Sequence, residues 1–414
     1  MNQYDAIVIG ARCGGAPLAM LLARQGHKVL LVEKAALGSD IMSTHYVKRT
    51  GAARLAEWGL LDAVTDLGTP MIKRQVFDLD GIKLAGRAPA AEGIDFDVTP
   101  RRFYLDRILQ DAAIDAGVEV RDNFNVTELI YGDGKVCGIR GKHKGESFAE
   151  YAQVVVGADG LNSLVARSVE APMVVDAGIH TCGHYAYFSG IEGPGDLAEL
   201  FISSKERRFY ITFPTNDDLQ MVFLFWPNDM ARSIRSDLEG AFHDSLALVP
   251  DLAEKVAAGT RETRIVGTHR LPNFFRRAHG NGWALVGDAA LHRDPITAQG
   301  ITNAFTHTSI LADELHQAFS GSKPLDSALA DYDSRQFQQL KPMFDYTVHL
   351  SRLQPVAPEL AEMLPSVIGN DEAIGAFIGA FLGSVPLDTV FPPSLINRFA
   401  ADVHHAELEV RRVA

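Results

Sequence analysis

A glycine-rich turn with a carboxylate downstream is the first feature of the chain that could bind a ligand. Gly10-Ala11-Arg12-Cys13-Gly14-Gly15 follows an apolar run over 4–9 and precedes a helical pattern over 16–24, and Glu33 ends a second apolar run. Glycines permit a tight turn, and the N–H groups at a helix start attract a pyrophosphate. Glu33 lies where a carboxylate can accept hydrogen bonds from a ribose. The unit predicts a dinucleotide site. Arg12 replaces the usual middle glycine, and it either compensates by its charge or points outward.

Two more turns rich in glycine and aspartate follow apolar strands later in the chain. One is Gly157-Ala158-Asp159-Gly160, and the other is Gly287-Asp288-Ala289-Ala290 with Asp294-Pro295 and Gly300-Ile301 beyond it. The carboxyl ends of parallel strands meet at one edge of a sheet, so the three turns are predicted to lie together. Each turn alone could be a strand end with a capping aspartate. The three in this order disfavour that interpretation.

The three motifs resemble those of FAD-dependent monooxygenases of the para-hydroxybenzoate hydroxylase type, the group A flavoprotein monooxygenases. The resemblance covers about residues 4–345. It implies FAD as the cofactor and NADPH or NADH as the reductant. It also implies a set of FAD-binding residues, which are Gly10, Cys13, Gly14, Gly15, Glu33, Lys34, Arg102, Val126, Asp159, Gly160, Gly287, Asp288, Gly300 and Ile301. By this resemblance Asp288 would hold the ribityl hydroxyls, Arg102 the FAD chain, and the backbone of Val126 the adenine.

The segment around Gly300 can also be interpreted from its physical chemistry, without the family resemblance. A helix that begins there would aim its positive end at the pyrimidine edge of the flavin and stabilise the negative charge that reduction places on it. The chain departs from the family here, because Thr297 stands where the family often has glycine and Gly300-Ile301-Thr302-Asn303 replaces Gly-Leu-Asn. Flavin binding is therefore a firmer expectation than any particular substrate chemistry.

The order of the motifs predicts an α/β fold with a discontinuous first domain. We expect a Rossmann-like, three-layer FAD-binding domain with a parallel sheet, an inserted and mostly antiparallel β-sheet domain that binds substrate, and a helical C-terminal region. The predicted ranges are 1–72, 100–172 and 264–322 for the FAD-binding domain, 73–99 and 173–263 for the substrate domain, and 323–414 for the helical region. Aromatic, β-prone runs over 185–188, 209–213 and 221–226 support the inserted sheet.

Composition excludes several other classes of function. The 414 residues carry 39 basic and 52 acidic side chains, a formal charge of −13, so nucleic acid is not expected as a partner. The three cysteines are isolated, which disfavours a dithiol or metal site. No signal peptide pattern opens the chain, so we expect a cytoplasmic protein. The apolar stretch 373–385 is too short to span a membrane, so we expect a buried segment and no stable membrane insertion. A homodimer is an allowed assembly.

The expected activity is hydroxylation of a small aromatic, polycyclic or heteroaromatic substrate by dioxygen through a flavin hydroperoxide. The catalytic candidates are His45, His292 and Pro295. The two histidines are chosen because histidine can accept a phenolic proton near neutral pH. Substrate candidates are the aromatic residues of the inserted sheet, namely Tyr185, Tyr187, Tyr210, Phe213, Phe223 and Phe225. Only some of them can face a ligand, since strand side chains alternate. The alternatives are a flavin-dependent reductase of an isoprenoid or quinone-like substrate and a non-catalytic flavin carrier.

Overall fold

A computed structural model of the chain describes residues 3–39 and 43–413. Within these ranges the strands are β1 (Tyr4–Ile9), β2 (Val29–Val32), β3 (Met71–Ile72), β4 (Arg74–Leu79), β5 (Ile82–Gly86), β6 (Asp97–Val98), β7 (Glu119–Arg121), β8 (Phe124–Gly132), β9 (Lys135–His143), β10 (Glu146–Gly157), β11 (Met173–Ile179), β12 (Thr181–Ser189), β13 (Leu197–Ser203), β14 (Arg208–Thr215), β15 (Leu219–Pro227), β16 (Thr260–Arg261), β17 (Val266–Thr268), β18 (Pro272–Arg276), β19 (His279–Gly280), β20 (Trp283–Leu285) and β21 (Leu291–His292). The α-helices are α1 (Gly15–Arg24), α2 (Arg49–Glu57), α3 (Leu61–Thr65), α4 (Arg102–Asp115), α5 (Leu164–Ser168), α6 (Ala231–Ser236), α7 (Leu238–Leu246), α8 (Pro250–Ala258), α9 (Gly300–Phe319), α10 (Leu325–Ser351), α11 (Pro358–Val367), α12 (Asp371–Leu382) and α13 (Pro393–Val413).

The first sheet contains the parallel strands that the motifs predict. Its order is β20, β10, β1, β2 and β7, all parallel, with β19 antiparallel at one edge. Every residue of β2 is buried, and so is every residue of β1 except Asp5. Continuous apolar strands are typical of a parallel sheet covered on both faces. The predicted α/β fold with a parallel sheet is confirmed.

The second sheet is mostly antiparallel, as predicted. Its order is β16, β12, β15, β14, β13, β4 and β5, with β17 also paired to β12, and only β4 and β13 run parallel. Its two faces pack differently because strand side chains alternate. Phe209, Phe213 and Phe225 join a core with the C-terminal helices. Tyr210 and Trp226 join a separate core with α6, α7 and α8.

Four helices, α10 to α13, lie in the range 323–413 of the predicted helical C-terminal region. The apolar stretch 373–385 forms most of α12, whose Ile374, Ile378 and Phe381 are buried in the core shared with the second sheet. The helix ends at Gly383, whose φ of +78° suits a left-handed C-terminal residue. The expectation of a buried segment is confirmed. Across 3–39 and 43–413 we find no helix with the length and hydropathy that a membrane span requires.

Two local features differ from the pattern in the sequence. The apolar spacing over 50–64 predicts one helix, but α2 ends at Glu57 and α3 begins at Leu61. Gly59 lies between them with a φ of +73°, a left-handed conformation that ends a helix. In addition, β17 belongs to the second sheet, although it lies beyond the boundary at 264. The domain ranges themselves stay a prediction.

Gly15 marks the closest approach of α1 to β1. A Cβ atom at Gly15 would lie 1.9 Å from the carbonyl oxygen of Gly10 and 3.0 Å from Cγ1 of Val8. We therefore expect Gly15→Ala to lower the free energy of unfolding by about 2–3 kcal/mol, because backbone atoms must move apart. Urea denaturation measures this loss. Gly193→Ala is the matched control, since a Cβ there meets no atom within 4 Å, and it should change stability by less than about 0.5 kcal/mol. Equal losses in the two variants would contradict the packing argument.

Candidate active site

A cavity of about 680 Å³ lies at the carboxyl edge of the parallel sheet. Its wall includes the residues that directly follow β1, β2, β10 and β20, which are Gly10, Glu33, Ala158 and Val286. The predicted cofactor residues that line it are Gly10, Cys13, Gly14, Glu33, Lys34, Arg102, Val126, Asp159, Gly160, Gly287, Asp288, Gly300 and Ile301. Gly15 lies behind the wall, against Gly10 and Val8. The fold thus brings residues of all three motifs to one cavity.

The turn after β1 has the backbone shape that a phosphate-binding turn needs. Gly10 has a φ of +103°, and a Cβ atom there would lie 2.4 Å from the carbonyl oxygen of Ala158. Gly14 precedes α1, and among the described residues the first turn of this helix has neither a side-chain cap nor an acid. The N–H groups at the start of α1 can therefore donate to an anion.

Glu33 is a buried carboxylate that backbone groups hold in place. Its Oε2 accepts from the N–H of Ala11 at 2.8 Å, and its Oε1 accepts from the N–H of Ala35 at 3.0 Å. A carboxylate has about four lone-pair sites, so each oxygen can accept a further hydrogen bond. The group therefore connects the glycine-rich turn to β2 and still offers acceptors to ribose hydroxyls.

Arg12, which replaces a glycine of the usual pattern, belongs to a charged cluster beside the turn. Its Nη1 lies 3.0 Å from Oδ2 of Asp106, and its Nη2 donates to Ser39 Oγ at 3.2 Å. Arg102 donates to both oxygens of the same Asp106 at 3.0 Å. Burial raises the pKa of the Cys13 thiol, which donates to this carboxylate at 3.4 Å. Two guanidinium groups share one carboxylate, and the surplus positive charge favours a phosphate nearby.

Asp159 combines a structural contact with an unused acceptor. Its Oδ2 accepts from the N–H of Leu164 at 2.6 Å and so caps the start of α5. Its Oδ1 is buried without a hydrogen-bond partner in the described part of the chain. Gly160 follows with a φ of +75° and leaves this corner of the cavity wall open. Asp159 therefore caps a helix, as the aspartate of a simple strand-end turn would. Its Oδ1 still remains as an acceptor for a ligand.

The loop with Asp288 is held from behind by α9 and α10. The N–H of Gly287 donates to Nδ1 of His307 at 2.9 Å, and Nε2 of His307 lies 3.2 Å from Oε1 of Gln336. Burial lowers the pKa of His307 to about 4, so the ring stays neutral and Nδ1 stays an acceptor near neutral pH. Tyr332 donates to the carbonyl of Leu285 at 2.6 Å. Asp288 itself is exposed at the cavity wall.

Two of the three catalytic candidates, His292 and Pro295, border the same cavity. Nδ1 of His292 lies 2.5 Å from the carbonyl oxygen of Pro272, which can only accept, so Nδ1 carries the proton and Nε2 is the acceptor of the neutral ring. The ring also stacks on Phe274 with centroids 6.0 Å apart. Gly300 and Ile301 begin α9 beside them, as predicted.

His45, the third candidate, does not line the cavity. The side chain is completely buried, and its Nε2 lies 2.8 Å from the hydroxyl of Tyr187. The ring also meets Phe213 edge-on at 5.5 Å. Burial, with Arg101 and Arg102 nearby, lowers the pKa of His45 to about 3. His45 therefore remains neutral near neutral pH and is a weak base. Its position instead suits a hydrogen bond that holds Tyr187 in place.

The aromatic candidates divide between the cavity and the cores. Tyr185 and Phe223 line the cavity. Phe213, Phe225 and Tyr187 pack in or against the core shared with the C-terminal helices. Tyr210 lies on the opposite face of the sheet, where its hydroxyl donates to the carbonyl of Ser245 at 2.8 Å. The alternation of side chains along β12, β14 and β15 accounts for this division.

Sequence reasoning missed three residues that shape the site, which are His307, Thr308 and Arg293. Thr308 donates to the carbonyl of Gly14 at 2.8 Å and connects α9 to the first turn. Arg293 borders the cavity. The available signal was the placement of His307 and Thr308 seven and eight positions after Gly300, about two turns along the predicted helix.

These features together fit FAD. A fixed carboxylate at Glu33 suits a ribose, while the start of α1 with Arg102 and Arg12 suits a pyrophosphate. The unpartnered Oδ1 of Asp159 and the exposed carboxylate of Asp288 suit hydroxyl donors. Glu33, Arg102 and Asp288 are the side chains that would hold the cofactor.

Comparison with known proteins agrees with this geometry. The family model of the FAD binding domain matches residues 3–345. The chain is 28% identical over 348 residues to a digeranylgeranylglycerophospholipid reductase of Methanocella arvoryzae, an alignment that covers 83% of this chain and 85% of the relative.

Solved structures of two proteins have the same fold over most of their length. PqsL of Pseudomonas aeruginosa, described as a probable FAD-dependent monooxygenase, has 26% identity and a TM-score of 0.73, covering 84% of this chain and 95% of PqsL. Another PqsL structure contains 2-aminobenzoylacetate. The myxobacterial chondrochloren halogenase CndH has 20% identity and a TM-score of 0.79, covering 98% of this chain and 97% of CndH, and shows the fold alone. The chain therefore belongs to the FAD binding domain family and is an FAD-dependent oxidoreductase within the superfamily of FAD-dependent monooxygenases.

Proposed function

We propose that this oxidoreductase is a monooxygenase of the para-hydroxybenzoate hydroxylase type that hydroxylates a small aromatic substrate with dioxygen and NADH or NADPH. The observation that carries the proposal is a pair of buried rings, Tyr185 and Phe223, in the wall of the cavity that Pro295 and the start of α9 also border. The two rings meet edge-on with centroids 5.6 Å apart. Such a wall suits a flat substrate. The likeness to PqsL, which binds 2-aminobenzoylacetate, supports an aromatic ligand.

The residues of the three motifs bind and orient the cofactor. Bound FAD supplies electron transfer from the reductant to dioxygen. Glu33 accepts hydrogen bonds from the ribose, and Asp288 accepts them from the ribityl chain. The N–H groups of Gly300 and Ile301, at the positive end of the 20-residue helix α9, would stabilise negative charge on a flavin bound beside them.

The second sheet keeps water from the reacting atoms. Tyr185 is 5% exposed and Phe223 is 4% exposed, although both border the cavity. Leu271 adds an apolar side chain to the same wall. Excluding water protects reactive oxygen intermediates from side reactions and strengthens the electrostatic interactions in the site.

His292 is the residue that we propose as the proton acceptor for a phenolic or amino substrate. It borders the cavity, and its contact with Pro272 leaves Nε2 as the acceptor. His45 lacks both properties, because it is buried behind Tyr187 and its pKa is lowered to about 3. Pro295 contributes a rigid wall beside the ring of the cofactor.

Reduction of an isoprenoid double bond is the second candidate, because the curated relatives named digeranylgeranylglycerophospholipid reductase align over most of this chain. In the sequence, the apolar stretch 373–385 favours this alternative. In the structure that stretch is packed into the core as α12 and does not extend the cavity. A cavity of about 680 Å³ that also holds a dinucleotide suits a small substrate better than a long lipid chain.

The two candidates predict different reactions. As a monooxygenase, the protein purified with FAD should oxidise NADH or NADPH, consume oxygen faster when an aromatic substrate is added, and transfer one atom of labelled dioxygen to the product. Mass spectrometry of the product measures this transfer. A chain that takes up no FAD would refute the proposal. Reduction of a double bond without oxygen, with no labelled product, would establish the reductase instead.

Asp288→Ala tests the assignment of the ribityl contact. Loss of a charged hydrogen-bond acceptor costs about 1.5–3 kcal/mol, so the dissociation constant for FAD should rise about tenfold or more. Fluorescence titration of the FAD-free protein measures the constant. Asp244→Ala, which removes an exposed aspartate from α7, should leave the constant unchanged. Equal affinity of wild type and Asp288→Ala would refute the role of Asp288.

His45→Gln and His292→Gln separate the two histidines. Because the pKa of His45 lies near 3, its ring is neutral from about pH 6 to about pH 9, and His45→Gln should leave the pH profile of kcat unchanged over that range. His292→Gln should lower kcat by about 100-fold or more, since a proton acceptor is removed. Steady-state kinetics with an identified substrate measure both effects. A loss of pH dependence in His45→Gln alone would reverse the assignment.

A further inference from the structure

Arg293 is a buried cation without a carboxylate partner in the described part of the chain. Its Nη2 donates to Oδ1 of Asn303 at 2.5 Å, whereas its Nε and Nη1 are buried and have no hydrogen-bond partner there. The residue is 6% exposed and borders the cavity. Burial lowers the pKa of Arg293 to about 9, so the side chain is still charged at neutral pH. An unpaired buried charge is costly, which indicates that an anion completes this corner of the cavity.

Lys48 is a second buried basic side chain, near enough to Arg293 to feel its charge. Its side chain lies between two rings, with Nζ 4.6 Å from the centroid of Tyr46 and 5.0 Å from that of Phe381. Burial lowers the pKa of Lys48 to about 7, an effect that Asp97 opposes and that Arg49 and Arg293 increase. Lys48 and Arg293 are therefore close enough to repel each other.

The carboxylate of Asp97, whose charge acts on Lys48, is already occupied. Its Oδ1 accepts from Nε of Arg49 at 3.3 Å and from the backbone N–H of Arg49 at 2.6 Å. Its Oδ2 accepts from the hydroxyl of Tyr46 at 2.8 Å and from Nε2 of Gln75 at 3.1 Å. Asp97 thus neutralises Arg49 and leaves the charge of Arg293 uncompensated.

The start of α9 increases the positive potential at the same corner. Asn303, which holds Nη2 of Arg293, lies in the first turn of α9, and this turn contains no acidic residue. The positive end of the helix dipole therefore acts on the same space as the guanidinium. Arg293 and the start of α9 raise the potential there, and Lys48 adds to it when it is protonated.

We propose that Arg293 is the binding site for the carboxylate of an acidic aromatic substrate, with Lys48 and the start of α9 adding positive potential. The proposal rests on the proposed function, because the aromatic body of that substrate would lie against Tyr185 and Phe223. An oxidised flavin ring is uncharged and would not neutralise Arg293. A bound substrate carboxylate would pair with it in every redox state of the flavin.

Binding of matched acidic and neutral probes tests this subsite. The probes are 2-aminobenzoate and 2-aminobenzamide, titrated calorimetrically into the FAD-loaded protein. Wild type should bind the acid about tenfold or more tightly than the amide, since a charged hydrogen bond contributes about 1.5–3 kcal/mol. Arg293→Gln should bring the two affinities within about twofold, and Arg293→Lys should keep part of the preference. Arg208→Gln is the control, because Arg208 is a half-buried arginine with an unpartnered Nε outside the cavity wall, and it should keep the full preference.

Thermal unfolding separates ligand binding from a structural role. Because Arg293 is unpaired without a ligand, Arg293→Gln should melt at the same or a higher temperature than wild type in buffer, and should lose the stabilisation that 2-aminobenzoate gives to wild type. A lower melting temperature of Arg293→Gln without probe would show that Arg293 supports the fold and would overturn the proposal.

Redox titration identifies the other source of negative charge. If the reduced flavin were the counter-ion of Arg293, the midpoint potential of Arg293→Gln would fall without any probe, and this result would overturn the substrate assignment. An unchanged potential with a lost preference for the acid would support it. Failure of the proposed function is seen separately, as absence of bound FAD or of labelled product, and a preference for the acid that persists in Arg293→Gln overturns only the subsite.

Discussion

The site depends on one constraint, which is that four parallel strands end in register at the same edge of the sheet. Ile9 of β1 pairs with Val32 of β2 and with Gly157 of β10, and Gly157 pairs with Leu285 of β20. Because the strands end in register, the residues that follow them must meet at one edge. Burial of their apolar side chains, each worth about 1.5–3 kcal/mol, maintains this register. A slip of one strand would separate the glycine turn from Glu33 or Asp288.

The helices that follow the last motif fix the loops at that edge. Through Thr308, α9 holds the carbonyl of Gly14, and through His307 it holds the N–H of Gly287. From α10, Tyr332 holds the carbonyl of Leu285. Each contact binds a backbone group at or beside one of the cofactor turns. Helices α9 and α10 therefore shape the cofactor turns.

Local spacing in the sequence was sufficient to predict the parallel sheet, the antiparallel sheet and the meeting of the three glycine-rich turns at one edge. Each glycine-rich turn directly follows an apolar strand, so short-range pattern carries this information. The cavity face of the second sheet was not predictable in the same way. Tyr185 and Tyr210 look alike in the sequence, but they lie on opposite faces because alternation gives two faces without saying which one meets the ligand.

Contacts between distant residues account for the rest. Arg12 pairs with Asp106, 94 residues away, and His45 contacts Tyr187, 142 residues away. Neither pairing has a spacing signal, so the sequence left open the direction of Arg12 and offered His45 as a base. The site at Arg293 was even harder to predict from the sequence. Its importance lies in the absence of a described carboxylate partner beside it. A missing partner cannot be read from a list of residues before the fold is known.

Charge along the cavity changes in the order that an FAD molecule and an acidic substrate require. Glu33, a fixed acceptor, lies at the end where the ribose is expected. Arg12 and Arg102 share the single carboxylate of Asp106 beside the phosphate-binding turn. Arg293 lies past the start of α9 and has no such partner in the described chain. Since buried charges are retained only when something compensates them, these side chains support the proposed orientation of the cofactor, and the proposed carboxylate of the substrate would compensate Arg293.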